Sequence, residues 1–144
     1  MVADVERTFQ VDAPIEEVWE LIADPETRAE AIGVVESYRT DGEEFIWNLE
    51  LPVPLINETV TVRTQDVDRR PPAFVEFVGR SKVMEVTGRH SLEPTETGCR
   101  VTNRFIVNGK VPGVETFFER RIDDEIENLL ATVEDTLSAR RADE

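Results

Sequence analysis

Residues 114–137, VETFFERRIDDEIENLLATVEDTL, decide how this chain folds. Apolar side chains fall at Val114, Phe117, Phe118, Ile122, Ile126, Leu129, Leu130, Val133 and Leu137. The steps are threes and fours with two adjacent pairs, the period of an α-helix with one greasy stripe. Charged residues such as Glu119, Asp123, Asp124, Glu127 and Glu134 fill the opposite side, and no Pro or Gly interrupts the run. At 1.5 Å per residue the helix spans roughly 35 Å, about the width of a small domain. Its stripe has to be buried against another layer. Most of the preceding chain reads as strands, so that layer is expected to be the face of a sheet.

Working back towards the N-terminus, residues 99–107 alternate, with Cys99, Val101, Asn103, Phe105 and Val107 on one side and Arg100, Thr102 and Arg104 on the other. Residues 83–93 place Met84, Val86, Gly88, His90 and Leu92 together. Residues 73–79 are rich in aromatic and β-branched side chains, but the pattern does not separate two faces. Residues 56–67, 44–51 and 34–40 complete the set. In 44–51, Phe45, Trp47, Leu49 and Leu51 oppose Glu44, Asn48 and Glu50. Turn residues separate these runs: Asp41-Gly42, Pro52-Val53-Pro54, Arg70-Pro71-Pro72, and Pro94 to Gly98. Such short links join antiparallel neighbours. A first strand at 5–11 carries Val5, Phe9 and Val11 on its apolar side, with Arg7 unexpectedly among them. Two short helices follow. Asp12 with Pro14, and Asp24 with Pro25, supply a capping carboxylate and a proline for the first turn. The tail after Ser138 is expected to fray.

The expected class is therefore α+β. A curved seven-stranded antiparallel sheet wraps a long C-terminal helix, with two short helices between strands 1 and 2. The whole chain, 1–144, makes a single domain.

Composition limits the function. There are 31 acidic against 16 basic residues, a formal net charge of −15, and the only lysines are Lys82 and Lys110. Such a surface repels nucleic acid and anionic membranes. Acidic residues spread along the whole chain read as adaptation to a salt-rich cytoplasm, where salt relieves self-repulsion. The beginning of the sequence shows no basic-then-apolar leader and no run approaches a membrane span, so a cytoplasmic location is expected. One cysteine, Cys99, leaves no intramolecular disulfide. Asn57-Glu58-Thr59 fits a glycosylation pattern by chance. No metal or cofactor is expected: one His and one Cys build no cluster, and no glycine-rich phosphate loop is present.

Several residues resemble a known superfamily. The run Phe9-Gln10-Val11-Asp12-Ala13-Pro14-Ile15-Glu16-Glu17-Val18-Trp19, then Asp24-Pro25, looks like the helix-grip superfamily (SRPBCC) of lipid-transfer START domains, birch-pollen-allergen-like proteins and polyketide cyclases. Leu92-Glu93-Pro94, then Thr97-Gly98-Cys99-Arg100-Val101, and the terminal helix add to the likeness. Asp24-Pro25-Glu26 with Ile32-Gly33-Val34-Val35-Glu36-Ser37 is similar to the carbon-monoxide-dehydrogenase accessory-protein branch. The resemblance implies a hydrophobic tunnel between sheet and long helix that takes lipids, polyketides or other greasy molecules. Only some members are enzymes, and no catalytic motif carries over.

Candidate site residues follow from strand parity. His90 is the only histidine and shares its face with Met84, Val86 and Leu92, so it looks towards the long helix. It acts either as acid, base or donor, or as a core histidine with one satisfied hydrogen bond. Asn103, between Val101 and Phe105, is the second inward polar residue and is placed near His90 if the strands pair normally. Arg7 either guards one tunnel end or pairs with an acid such as Glu76, whose own meaning depends on its face. Trp47 and Phe117 are the first choices for a cavity wall, joined by Phe45, Phe77, Met84 and Phe105. A Cys99–His90 dyad is discounted, because nothing lowers the thiol's pKa.

The first expectation is a binding protein for a hydrophobic small molecule, lipid or polyketide-like, without catalysis. An alternative is a cyclase or dehydratase using His90, Asn103 and Arg7. Another is an interaction or cofactor-maturation module with a protein partner. The oligomeric state is left open.

Overall fold

A computed structural model describes residues 2–143. The elements run β1 (Val2–Val11), α1 (Ile15–Ile22), α2 (Pro25–Ala31), β2 (Val35–Asp41), β3 (Glu44–Leu49), β4 (Val60–Arg70), β5 (Phe74–Arg80), β6 (Met84–Pro94), β7 (Cys99–Gly109) and α3 (Val114–Ala142). All seven strands form one antiparallel sheet in the order β1-β7-β6-β5-β4-β3-β2. From β2 to β7 each strand pairs with the next in sequence, through short turns except between β3 and β4, where residues 50–59 form a longer loop. The single long-range closure is β1 on β7. This is the helix-grip α+β architecture.

α3 buries Val114, Ile122, Ile126, Leu129, Val133 and Leu137 against β1, β7 and the two short helices. Each such side chain contributes about 1.5–3 kcal/mol relative to exposure, so the stripe dominates the attachment of helix to sheet. One apolar cluster joins α1, β1 and the later half of α3. A second lies under β3 to β6 and the start of α3. Phe105 packs against both.

Several boundaries differ from the sequence pattern. β1 begins at Val2 and β4 at Val60, because residues 56–59 turn away before pairing starts. α3 continues through Ala142 instead of fraying. Its last turn is tied down by Arg140 to Glu20 at 3.2 Å and by Arg141 to the Asp12 carbonyl at 3.2 Å. Asp24 caps α2 as expected, its Oδ1 accepting from the Glu26 N–H at 2.9 Å. Asp12 does not cap α1: Pro14 occupies that position with extended backbone, and no side chain bonds to the first turn.

Strand faces are resolved where the pattern left them open. In β5, Val75 and Phe77 point inward and Glu76 outward, where Glu76 meets Arg89 of β6. Arg7 pairs with Asp123 of α3 at 2.7 Å, and not with Glu76. Both groups of that pair are largely exposed, so the contact adds at most about 1 kcal/mol. Ile46 sits on the outer face yet is fully buried. It lies in register between Arg39 and Arg63.

Candidate functional site

β6 and β7 place His90 directly opposite Asn103. The Nδ1 of His90 and the Oδ1 of Asn103 are 2.7 Å apart. Asn103 donates through Nδ2 to the Arg7 carbonyl at 3.3 Å. That bond fixes which end of the amide faces the ring. Its oxygen accepts, so Nδ1 of His90 carries the proton and Nε2 presents a lone pair. Nε2 is buried and has no partner among the described residues. His90 is 1% exposed and Asn103 0%. Burial, reinforced by the Arg28 charge, pushes the imidazole pKa down to about 4 against the pull of the Asn103 hydrogen bond. The ring is therefore neutral at physiological pH.

Phe77 lies nearly parallel to the imidazole, centroids 6.2 Å apart and planes 18° from coincidence. Phe105 meets it edge-on at 5.6 Å. The space for Phe77 comes from its register partner Gly88, where a Cβ would collide with the phenyl ring.

Two small cavities lie between the concave face and α3. The larger, about 50 Å³, is walled by Trp47, Met84, Val86, Phe118 and Ile122 among others. The smaller, about 20 Å³, is walled by Arg28, His90, Ile126 and Leu129 among others. Ile32, Phe77, Phe105 and Glu125 belong to both, so the two are compartments of one chamber partitioned by aromatic rings. An apolar cavity of about 150 Å³ takes up benzene. The resting chamber is smaller than that and admits a guest of more than one ring only if its walls move. Phe118 is half-buried and bridges the larger compartment to the surface.

Two charged groups line the chamber, and both are already engaged. Arg28 is 5% exposed. It reaches Asp66 at 2.5 Å and holds its guanidinium 5.0 Å above the Phe77 ring. Glu125 accepts from the Gly33 N–H at 2.7 Å and from Arg121 at 3.1 Å. A second orphan polar atom is the buried indole Nε1 of Trp47.

Of the residues singled out from sequence, Trp47, Phe77, Met84, Phe105 and His90 come together on the chamber, with Asn103 directly behind His90. Arg7 lies outside it. So do Phe45, which packs on Tyr38 at 5.2 Å, and Phe117, which packs on Phe118 at 5.2 Å. The helical phase turns Phe118, not Phe117, to the chamber.

Arg28, Asp66 and Glu125 escaped the pattern reading. A signal existed for each of them. Arg28 stands four residues before Ile32, and Glu125 stands between Ile122 and Leu129 inside the apolar stripe. Asp66 shares its strand parity with the buried Val60, Val62 and Thr64. The register shift against β5 falls after it and leaves the alternation of burial in β4 intact. Cys99 pairs with Val11 and Pro94, four residues from Asn103 along β7. That is about 13 Å of strand, too far for a dyad with His90. Burial also raises its thiol pKa.

A curved sheet gripping one long helix around an apolar chamber defines a helix-grip protein of the kind suited to hydrophobic ligands. The chain belongs to the family described as polyketide cyclase / dehydrase and lipid transport, which matches residues 2–134. The match does not reach the finer carbon-monoxide-dehydrogenase accessory branch. Among curated proteins, none matches this sequence. Solved structures share the fold at low identity. A conserved protein from Geobacillus kaustophilus superposes with a TM-score of 0.72 at 16% identity, covering 96% of each chain. The Zhui aromatase/cyclase from Streptomyces gives 0.65 at 17% identity, covering 93% of this chain and 94% of its own. The di-domain aromatase/cyclase StfQ from the steffimycin biosynthetic pathway gives 0.71 at 15% identity. There this chain is covered over 98% of its length and spans 52% of the larger protein. Among the described residues, no helix is long and apolar enough to cross a membrane.

Proposed function

We propose that this protein binds a hydrophobic small molecule in the chamber between sheet and α3, without turning it over. The observation that carries this is the chamber itself: aromatic and aliphatic side chains from β3, β5, β6, β7 and α3 converge on one apolar space. Phe118 and Phe105 swing aside to admit the guest, since the resting volume is too small for one of any size.

A cyclase or dehydratase activity is the second reading, and the His90–Asn103 contact favours it. Proton transfer is most efficient when the catalytic pKa lies near the working pH. An imidazole held near pKa 4 is a weak base at neutrality, and its one proton, on Nδ1, is engaged by Asn103. It is better suited to orienting a guest than to driving a reaction. An interaction module has less support. Among the described residues, the large apolar side chains that stand exposed are Val2 in β1, Leu55 in the β3–β4 loop and Val67 in β4, with three strands between β1 and β4.

Native mass spectrometry of the purified protein, with displacement of an apolar dye by candidate guests, tests the binding reading. Copurifying apolar molecules, or dye uptake blocked by Ile122→Trp and increased by Phe118→Ala, is the expected result. No uptake by wild type and no change in either variant would overturn it.

A further inference from the structure

We infer that the chamber selects an uncharged aromatic molecule bearing a hydroxyl group, and that this hydroxyl donates its hydrogen bond to Nε2 of His90. The inference rests on the chamber being a binding site and adds the chemistry of its guest.

Three observations converge on it. First, a buried polar atom without a partner is costly, about 1–3 kcal/mol, and native proteins rarely leave one. Nε2 is such an atom, on a side chain 1% exposed that lines the smaller compartment. Because Nδ1 is committed to Asn103 as donor, Nε2 can only accept. Its complement is a donor on the guest. Second, the approach to Nε2 is flanked by flat rings, Phe77 nearly parallel to the imidazole and Phe105 edge-on. Flat walls of this kind fit another ring in stacked or edge-on contact. Third, the charges facing the compartment are already balanced. Arg28 from α2 is paired with Asp66 from β4, and Glu125 from α3 is bound to Gly33 N–H and Arg121. A carboxylate guest would have to displace Asp66 while facing Glu125. An ammonium guest would meet Arg28. A neutral hydroxyl disturbs neither pair.

The chain has one histidine, which makes the test direct. Near neutral pH, 2-naphthol and 2-methoxynaphthalene differ in whether they can donate. The affinity of each is measured by titration calorimetry for wild type, His90→Phe and His90→Gln. In parallel the ¹⁵N signal of the His90 imidazole is followed. Wild type is expected to favour 2-naphthol about tenfold, with the Nε2 resonance moving in the direction of hydrogen-bond acceptance on binding. His90→Phe is expected to bring the two probes within about twofold while still binding the methoxy compound. His90→Gln, which keeps an acceptor, is expected to retain part of the preference. Equal affinity of wild type for both probes, or an Nε2 signal unmoved by 2-naphthol, would overturn the inference and leave the chamber reading standing. Binding of neither probe would overturn both. The comparison of probes on wild type and its ¹⁵N readout need no variant, so the inference is testable even where His90→Phe does not fold.

Discussion

Arg28 of α2 reaches Asp66 of β4 at 2.5 Å while its guanidinium lies 5.0 Å above the ring of Phe77. One side chain thus ties the short helices to the sheet and roofs the inner end of the chamber. Asp66 is shared with Arg69 at 2.7 Å, and Arg69 reaches on to the Ala23 carbonyl at 2.8 Å. The two ends of the pair are therefore not equivalent. Removing Arg28 leaves Asp66 with a second cation. Removing Asp66 leaves a buried guanidinium with only a long bond to the Ile22 carbonyl at 3.4 Å.

Breaking a buried pair from one side costs about 3–5 kcal/mol, because a charge is left without compensation. Asp66→Ala is expected at the upper end of that range and Arg28→Met at about 3 kcal/mol or below. Urea midpoints of the two variants check the order. Equal losses, or a larger loss for Arg28→Met, would mean that Arg69 does not hold Asp66.

Gly88→Ala is expected to destabilise by about 1–3 kcal/mol through overpacking, since its Cβ would land on the Phe77 ring. Adding Phe77→Leu to the same chain is expected to recover part of the loss, as the smaller side chain vacates the clash. Gly42→Ala serves as the contrast. Nothing stands within 4 Å of its Cβ, and its cost comes only from a φ of 63°. Thermal unfolding of the three proteins gives the comparison. Failure of Phe77→Leu to rescue Gly88→Ala would detach the glycine from the ring.

Much of this arrangement could be read before any coordinates. The threes and fours of α3, the Asp24-Pro25 start of α2 and the shared parity of Met84, Val86 and His90 all describe periods that burial enforces. Strand parity also placed His90 and Asn103 on facing sides, because a hairpin fixes register. What escaped depends on contacts or phase that the period does not show. Asp66 keeps the inward parity of Val60 and Val62, but an acid there looks solvated until Arg28 is seen to meet it. Phe117 and Phe118 are neighbours, and only the exact phase of the helix decides which faces inward. Glu125 falls inside the apolar stripe, where a carboxylate looks like an exposed residue until the Gly33 N–H and Arg121 are seen to meet it.

The net charge of −15 bears on stability. α3 exposes Glu119, Asp123, Asp124, Glu127, Glu134 and Asp135 along its outer side. Salt screens this repulsion, but it also weakens surface pairs such as Arg104–Asp4 at 2.7 Å. Each such pair is worth about 0–1 kcal/mol, and 16 basic residues cannot offset 31 acids. Repulsion therefore wins, and Tm is expected to rise from low to molar salt. A flat or falling Tm across that range would refute adaptation to a salt-rich interior.

The pH dependence of stability isolates His90. Its pKa stands at about 4 in the folded protein against 6.5 for the free side chain. Between those values the unfolded chain binds a proton that the folded chain refuses, so stability falls as pH falls. The loss begins near the unfolded pKa, is complete below the folded one, and amounts to about 3 kcal/mol. Carboxylates and the overall charge also respond across this window, so the useful quantity is wild type minus His90→Phe. The groups facing the ring include Arg28 from α2, which opposes protonation, and Asp66 from β4, which favours it weakly. Glu125 from α3 lines the same compartment. Urea midpoints measured in steps through the acid range are expected to show the difference growing as pH drops from 6.5 to about 4. A difference that stays constant would mean that the imidazole titrates alike in both states. The lone pair on Nε2 would then not be sealed from water, and the chamber would be open at its inner end.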